Sequence, residues 1–378
     1  MPGTASRPER RDVQANDETQ PQDAAMTPVL RAIADLRRGA SVWLRAGDTC
    51  LRLAAAENCL EQDDLMAADG SDLSLVLSAA RYAALAPSSP QFHSDCVRLD
   101  GPISVSQRER LLDPAFCGPI PDEIAVHLAD AIEATAVELI RLAHLMPAAL
   151  IRHADRIDSG TRADLDPIVL DLDMLEGVRL QALDRMTVVA RAAVPLQDAE
   201  DATIVAFRPA DGGKEHLAII IGAPDPDRPV LVRLHSECFT GDLLASLRCD
   251  CGEQLHGAVR EIERSGGGVI LYLAQEGRGI GLVNKLRAYQ LQDQGFDTID
   301  ANQMMGFDAD ERVYRPAAEM LKRLGYTSVR LMTNNPEKVR ALCECGIAVA
   351  ERVPHAFPAN NHNERYLRTK AARAGHLL

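Results

Sequence analysis

At 378 residues the chain has room for two or three domains. Its 46% hydrophobic and 25% charged residues exclude a wholly disordered chain, a collagen-like repeat and a coiled-coil rod. The formal net charge of −14 argues against a polyanionic partner, until the chain is divided. Residues 1–183 hold 17 basic and 29 acidic side chains, whereas residues 184–378 hold 24 and 26. The acidity belongs to the first half, and the near-neutral second half has room for a local basic pocket that binds phosphates. The longest strongly apolar run, Val269 to Ala274, is far below the ~20 residues of a membrane helix. No signal-like apolar stretch follows the N-terminus, and nine cysteines, an odd number, do not suit a secreted disulfide framework. The expectation is a cytoplasmic protein whose reduced thiols serve a metal or catalysis.

Residues 1–26 are polar and proline-bearing, without hydrophobic period, and read as a disordered arm. Arg7, Arg10 and Arg11 lie among acids there, the pattern of a solvated tail rather than a nucleic-acid contact. Val29, Leu30, Ile33 and Leu36 have helical spacing, stopped by Gly39. Short strands are expected at Val42 to Leu44 and Leu51 to Ala55, and helices at Ser74 to Leu85 and Ile124 to Leu145. Together these outline a mixed domain over residues 27–175, with proline-rich loops at 87–90 and 114–121.

Beyond residue 184 the signals are denser. A strand is expected at Val230 to Leu234, a short helix at Asp242 to Leu247, and a buried strand at Val269 to Ala274 after the Gly266–Gly268 turn. Helices follow at Leu282 to Gln294 and Arg312 to Leu324, the second closed by Gly325. After a strand at Ser328 to Met332, Asn335 caps and Pro336 opens a helix that Gly346 closes. Alternating strands and helices define an α/β or mixed-sheet fold.

Cys238, Cys249 and Cys251 stand as C-x10-C-x-C within HSECFTGDLLASLRCDCGEQ. In an extended segment Cys249 and Cys251 share a side, because side chains alternate with period two. A short helix between them and Cys238 brings back the third thiolate. Three thiolates suit zinc, and three protein ligands leave a position for water whose pKa the metal lowers. Spacing alone leaves two other readings open: a closed structural site completed by His235 or His256, and reduced thiols without metal. Cys96, in an echo of the HSEC string, and the pair Cys343 and Cys345 are packing residues on this reading.

Arg233, Arg278 and Lys338 fall near strand ends or glycine-rich turns, where cations can converge on an anion. QEGRGIGL at 275–282 lets backbone approach a ligand, though it is not a dinucleotide fingerprint. Thr333 ends a strand, and TNNPEK opens a helix whose N-terminal amides favour phosphate or simply make a capped turn. Asp310, Glu311 and Arg312 precede a helix, where a carboxylate beside an arginine is either an ion pair or a proton acceptor facing phosphate.

In order, VRLHSECFTGD, SLRCDCGEQL, QEGRGIGLVNKLRAYQLQDQGFDT, GFDADER, LMTNNPEKV and NERYLRTKAARAGHLL closely resemble GTP cyclohydrolase II, an enzyme of riboflavin synthesis. The resemblance covers about residues 190–378. It implies a mixed α+β catalytic domain at 184–378 behind a separate N-terminal α/β domain. It also implies one zinc ion per subunit on Cys238, Cys249 and Cys251, holding the water that attacks C8 of guanine. GTP contacts are implied from Arg233, Leu234, His235, Ser236 and Glu237, and from Gln254. Further contacts are implied from Glu276, Gly277 and Arg278, and from Thr298, Thr333 and Lys338. Asp310 matches the family's proton acceptor, Arg312 its nucleophile toward the α-phosphate, and Tyr289 a tyrosine near the opening ring. Mg²⁺ accompanies the triphosphate, the assembly implied is a homodimer, and no nucleic-acid or membrane partner is implied. Val313 and Ala274 depart from residues frequent in the family, at no ligand position.

RAIADLRRGASVWL followed by LRLAAAEN faintly resembles the start of 3,4-dihydroxy-2-butanone 4-phosphate synthase, a domain often fused before such enzymes. That synthase needs an acidic cluster after its first strand, where this chain has RAGDTCLR. The expectation is a degenerate, non-catalytic domain. Two rival readings remain for the whole chain: a paralogue that stops at a formamide, and a GTP-binding regulator with structural zinc.

Overall fold

The computed structural model describes residues 21–58, 73–87, 95–155, 168–172, 186–210 and 212–355, with the single positions 157 and 357. The expected arm up to residue 20, the domain boundary between 175 and 184, and the terminal NERYLRTKAARAGHLL string lie outside the described residues.

The N-terminal half is a seven-stranded sheet between helices. In chain order it comprises α1 (Pro21–Arg37), β1 (Val42–Ala46), β2 (Thr49–Ala55), β3 (Ser74–Ser78), α2 (Ala79–Leu85), β4 (Cys96–Asp100) and α3 (Val105–Leu112). It continues with β5 (Ala125–Leu128), α4 (Ala131–Leu142), β6 (Ala148–Ala154) and β7 (Val169–Asp171). The strand order is β5-β4-β3-β6-β2-β1-β7, antiparallel except where β7 runs parallel to β1. Val76, Ala149 and Ile151 pack with residues of α1 and α4 on one face, while Leu75, Leu77 and Leu150 pack with residues of α2 and α3 on the other.

That two-faced burial explains a difference from expectation. Residues 74–78 form a strand rather than a helix start, because the run SLVLS is buried on both sides of the sheet. The helix begins only after Ser78, whose hydroxyl accepts the Arg81 N–H as an N-cap. Likewise Ala125–Leu128 is a strand, and helix α4 starts at Asp130, which forms a reciprocal capping box with Glu133. Helix α1 extends back to Pro21, inside the stretch expected to be disordered.

The C-terminal half has β8 (Thr187–Ala193), β9 (Ala202–Arg208), β10 (His216–Ile221), β11 (Val230–Ser236), α5 (Cys251–Arg264) and β12 (Gly268–Leu273). After these come α6 (Leu282–Asp293), α7 (Thr298–Met304), α8 (Arg315–Arg323), β13 (Ser328–Met332), α9 (Pro336–Glu344) and β14 (Ala348–Val353). Its sheet has the order β14-β13-β11-β12-β10-β9-β8. β12, β11, β13 and β14 are parallel, and β10, β9 and β8 continue as an antiparallel meander. The carboxyl ends of β11, β12 and β13 therefore share one edge, the place where open α/β sheets bind ligands. The expected helix at 242–247 is instead one wide turn of π-helix at Phe239–Leu243, and α8 begins at Arg315 with Pro316 in its first turn rather than at Arg312.

Candidate active site

Each parallel strand delivers chemistry just beyond its last residue. β11 is buried along its length and runs into Cys238; β12 runs into Glu276; β13 runs into Thr333. A single cleft at that edge is walled by every site residue expected from the sequence except Leu234 and Asp310.

The three sulfurs of Cys238, Cys249 and Cys251 lie within 4.8 Å of one another, with Cys238 and Cys249 3.7 Å apart. Their support differs from the extended segment expected. Cys251 is the first residue of α5, so the C-x-C pair spans a turn into a helix N-terminus, whose amides favour thiolate. Gly241 makes the approach possible. A Cβ there would fall 2.8 Å from the Cys249 Sγ and 3.1 Å from the Cys238 Sγ. Cys238 is the thiol that ionises first, because hydrogen bonds from Cys249 and Cys251 hold its thiolate and the Lys285 Nζ, 3.1 Å away, adds a positive charge. The same sharing pushes Cys249 up to about 11 and Cys251 well above the ordinary thiol range. Three sulfurs this close ionise together only around a cation, and an all-sulfur set suits zinc. The donor set thus fits a metal ion.

Behind the cluster, Asp242 collects three donors. Its carboxylate accepts the Cys238 N–H at 3.0 Å, the Tyr272 hydroxyl at 3.0 Å, and the His235 Nε2 at 3.0 and 3.1 Å. His235 is buried and stacks on Tyr272 with ring centroids 5.5 Å apart. Burial lowers its pKa despite the carboxylate, so the neutral ring donates from Nε2. Its Nδ1 is left as an acceptor with no hydrogen-bond partner among the described residues.

Glu276 acts inside the protein. One oxygen accepts the Phe239 N–H at 2.6 Å, and the other accepts the Gly277 N–H and the Lys285 ammonium, both at 2.8 Å. Burial alone would lower the Lys285 ammonium, but Glu276 and the Cys238 sulfur outweigh it and leave its pKa raised. Gly277 and Arg278 both have left-handed backbone, with φ of 63° and 62°, which turns this loop under the cleft. Tyr289 lies one helical turn after Lys285; its hydroxyl is 3.4 Å from the Thr240 hydroxyl, and burial pushes its pKa up to about 12.

The opposite wall is cationic. Arg233 is buried, donates to the Met332 carbonyl at 3.0 Å and to Gln254, and burial draws its pKa down to about 10. The Lys338 ammonium donates to the Leu234 carbonyl at 2.9 Å, which is how Leu234, a core residue, serves the site by its backbone. Lys338 and Arg312 both lie over the Tyr314 ring, at 5.7 and 5.8 Å from its centre. Arg312 makes a two-pronged pair with Asp310, with Nε donating at 2.7 Å. Burial works to raise the Asp310 carboxyl, and the Arg312 pair overcomes it, leaving it below the ordinary carboxylate range. Thr333 accepts the Asn335 N–H at 3.0 Å, and Thr298 opens α7. Ser236 and Glu237 line the mouth.

Lys285, Asp242, Arg248, Tyr314, Asn302 and His355 were not expected from sequence. Lys285 had one local signal, its four-residue spacing to Tyr289 on a helix. His355 had none, for it reaches the site by donating from Nε2 to the Gln254 carbonyl, 2.9 Å away and 101 positions earlier.

Six lysine and arginine side chains and three carboxylates line the cleft, a local excess of cations suited to an anion although the chain is acidic. Such a cation-lined cleft beside a three-thiol cluster able to hold a metal ion, at the carboxyl ends of parallel strands, is the arrangement of a hydrolase site. A family model for GTP cyclohydrolase II matches residues 187–354. A GTP cyclohydrolase-2 from Azospirillum brasilense is 50% identical over 366 residues, covering 94% of this chain and 95% of that relative. One from Azotobacter vinelandii is 60% identical over 166 residues, covering 44% of this chain and 80% of that relative. Among solved structures, a two-domain 3,4-dihydroxy-2-butanone 4-phosphate synthase from A. baumannii aligns at a TM-score of 0.31 and 16% identity, over 87% of this chain and 99% of that one. The chain belongs to the GTP cyclohydrolase II family, and the mixed α/β architecture with a separate N-terminal domain agrees with the expectation from sequence.

Proposed function

We propose that this enzyme hydrolyses GTP to 2,5-diamino-6-ribosylamino-4(3H)-pyrimidinone 5′-phosphate, formate and diphosphate, the entry step of riboflavin biosynthesis. The observation that carries this reading is the meeting of three clustered sulfurs with a cationic cleft at one sheet edge. Cys238, Cys249 and Cys251 hold one zinc ion. When bound, zinc supplies Lewis-acid activation of water for hydrolysis at C8 of guanine.

The chain's own residues do the rest. Arg233, Arg278, Arg312 and Lys338 receive the triphosphate, which Mg²⁺ accompanies, and offset the charge that develops as diphosphate leaves. As an Arg312 nitrogen bonds to the α-phosphorus and the α–β phosphate bridge breaks, Asp310, ionised at neutral pH, accepts the proton that nitrogen loses. Water then cleaves the P–N bond, which returns the proton to Arg312 and leaves the 5′-phosphate. Tyr289, protonated at neutral pH, stands beside the thiol cluster as a hydrogen-bond donor to the opening ring. His235, Ser236, Glu237, Gln254, Glu276, Gly277, Thr298 and Thr333 shape the site, Glu276 by fixing Lys285 and the Phe239 turn. The enzyme works as a cytoplasmic homodimer, and residues 27–175 are a degenerate domain without synthase activity.

The test is incubation of the purified full chain with GTP and Mg²⁺, with metal content, formate, diphosphate and the pyrimidine product all measured. Formate release is expected, with about one zinc per chain, and Cys249→Ser is expected to abolish it. A product that retains its formyl group would replace complete ring opening with the formamide reading. Formate no greater than in the enzyme-free control would dismiss catalysis.

A further inference from the structure

The N-terminal half grips one stretch of the catalytic half, residues 279–311, at several points. Ser78 donates its hydroxyl to the Gly306 carbonyl at 2.6 Å, and Arg81, itself buried, donates to the Met304 carbonyl at 2.8 Å. His144, held at φ +56° just after α4, offers its carbonyl to the Asn284 amide at 3.0 Å and its ring to the Gly279 backbone. At Gly281 an added Cβ would fall 3.3 Å from the His144 Cβ, so the two backbones abut.

The contact nearest the chemistry is made by Arg141, in the last turn of α4. Its guanidinium is 3.2 Å from the Asp308 carboxylate and 3.3 Å from that of Glu311. Glu311 closes the same turn by accepting the Asp308 N–H at 2.9 Å, and its own N–H donates to the Arg278 carbonyl at 3.1 Å. Between Asp308 and Glu311 lies Asp310, and the next residue is Arg312. Among the described residues, no other arginine or lysine forms an ion pair with Asp308 or Glu311.

We propose that Arg141 is a positioning residue for catalysis: reaching from the N-terminal domain, it clamps the Asp308–Glu311 turn and so sets Arg312 against the cleft with Asp310 behind it. The domain is then a brace for the catalytic loop. The clamp rests on the reading of Asp310 and Arg312 given above, so one of its two readouts is independent of GTP chemistry.

Full-length Arg141→Ala and Arg141→Lys are compared with the wild type by hydrogen–deuterium exchange and by steady-state kinetics. Exchange over residues 306–312 is expected to quicken severalfold in Arg141→Ala while β11 and β12 stay as protected as before. In the same variant kcat is expected to fall about 10-fold or more, with KM for GTP and metal content within about twofold, because the loss is one of alignment. Arg141→Lys keeps the charge without the fork and is expected to recover part of both. Unchanged exchange over 306–312 overturns the clamp, whatever the enzyme's substrate proves to be. An unchanged kcat overturns its catalytic consequence. Should Arg141→Ala fail to fold, Asp308→Asn with Glu311→Gln cuts both contacts from the other side, and unchanged exchange there is equally decisive. A wild type that releases neither formate nor diphosphate counts against the proposed function, and the exchange result still decides the clamp.

Discussion

At the scale of single residues, the smallest side chain in the metal site is the most constrained. Gly241 has no Cβ because one would stand 2.8 Å from the Cys249 Sγ and 2.9 Å from the Cys251 Cβ, well inside contact distance. Neither neighbour can yield without moving a ligand. Gly241→Ala is therefore expected to weaken metal retention by about 10–100-fold, the range seen when the support of metal ligands is disturbed. Competition with a chromogenic chelator measures it, and wild-type retention in the variant would show that the turn relaxes freely. The cysteines themselves were legible in the sequence as a candidate cluster, although their spacing alone left a structural site and metal-free thiols open. Their supports were not. Lys285 meets Glu276 across a glycine loop, and Asp242 gathers Cys238, His235 and Tyr272 from two strands and a turn, so neither pairing is local. Asp310 was legible as a carboxylate beside an arginine, but only the structure sets it behind Arg312 rather than on the cleft wall.

At the scale of elements, legibility followed burial pattern. β11, β12 and β13 announce themselves as apolar runs because parallel strands are covered on both faces. β8 is exposed at every residue and offers no such run, and α5 has Leu255, Ala258, Val259 and Ile262 at helical spacing but shares its start with the cysteine motif. In the N-terminal half, helix α4 is the element on which the brace depends, and a buried acid fixes it. The Glu133 side chain is fully buried; it accepts Arg98 at 2.6 Å, the His153 Nε2 is 2.8 Å away, and the Asp130 N–H donates at 2.9 Å. Burial works to raise its pKa, and these partners overcome that and leave it lowered. A carboxyl with a depressed native pKa stabilises the fold above its unfolded pKa of about 4.3, and that stability is lost as pH falls through the native value. Glu133→Gln is expected to cost about 1–3 kcal/mol at neutral pH, with a smaller cost below pH ~4. Urea denaturation at a series of pH values checks this, and a cost independent of pH would show that packing, not charge, holds α4.

At the scale of the whole molecule, net charge misleads, since −14 describes mainly the half that braces and not the half that binds. Six cationic and three anionic side chains line the cleft, and hydrogen bonds hold several of the cations in place against their mutual repulsion. Arg233 is tied to Met332, Lys338 to Leu234, and Arg312 to Asp310. A triphosphate approaching this edge crosses a field set by local charge over roughly one Debye length, ~10 Å at 0.1 M salt, and not by the distant acids of the N-terminal half. Added salt should then screen capture far more than it disturbs the desolvated groups that act on bound substrate. Raising sodium chloride from about 0.05 to 0.5 M is expected to increase KM for GTP severalfold while kcat changes by less than about twofold. Inorganic triphosphate should inhibit competitively, and less well as salt rises. A KM that stays constant or falls with salt would mean that the acidic half dominates the approach after all, and that binding rests on contacts to the base rather than to the phosphates.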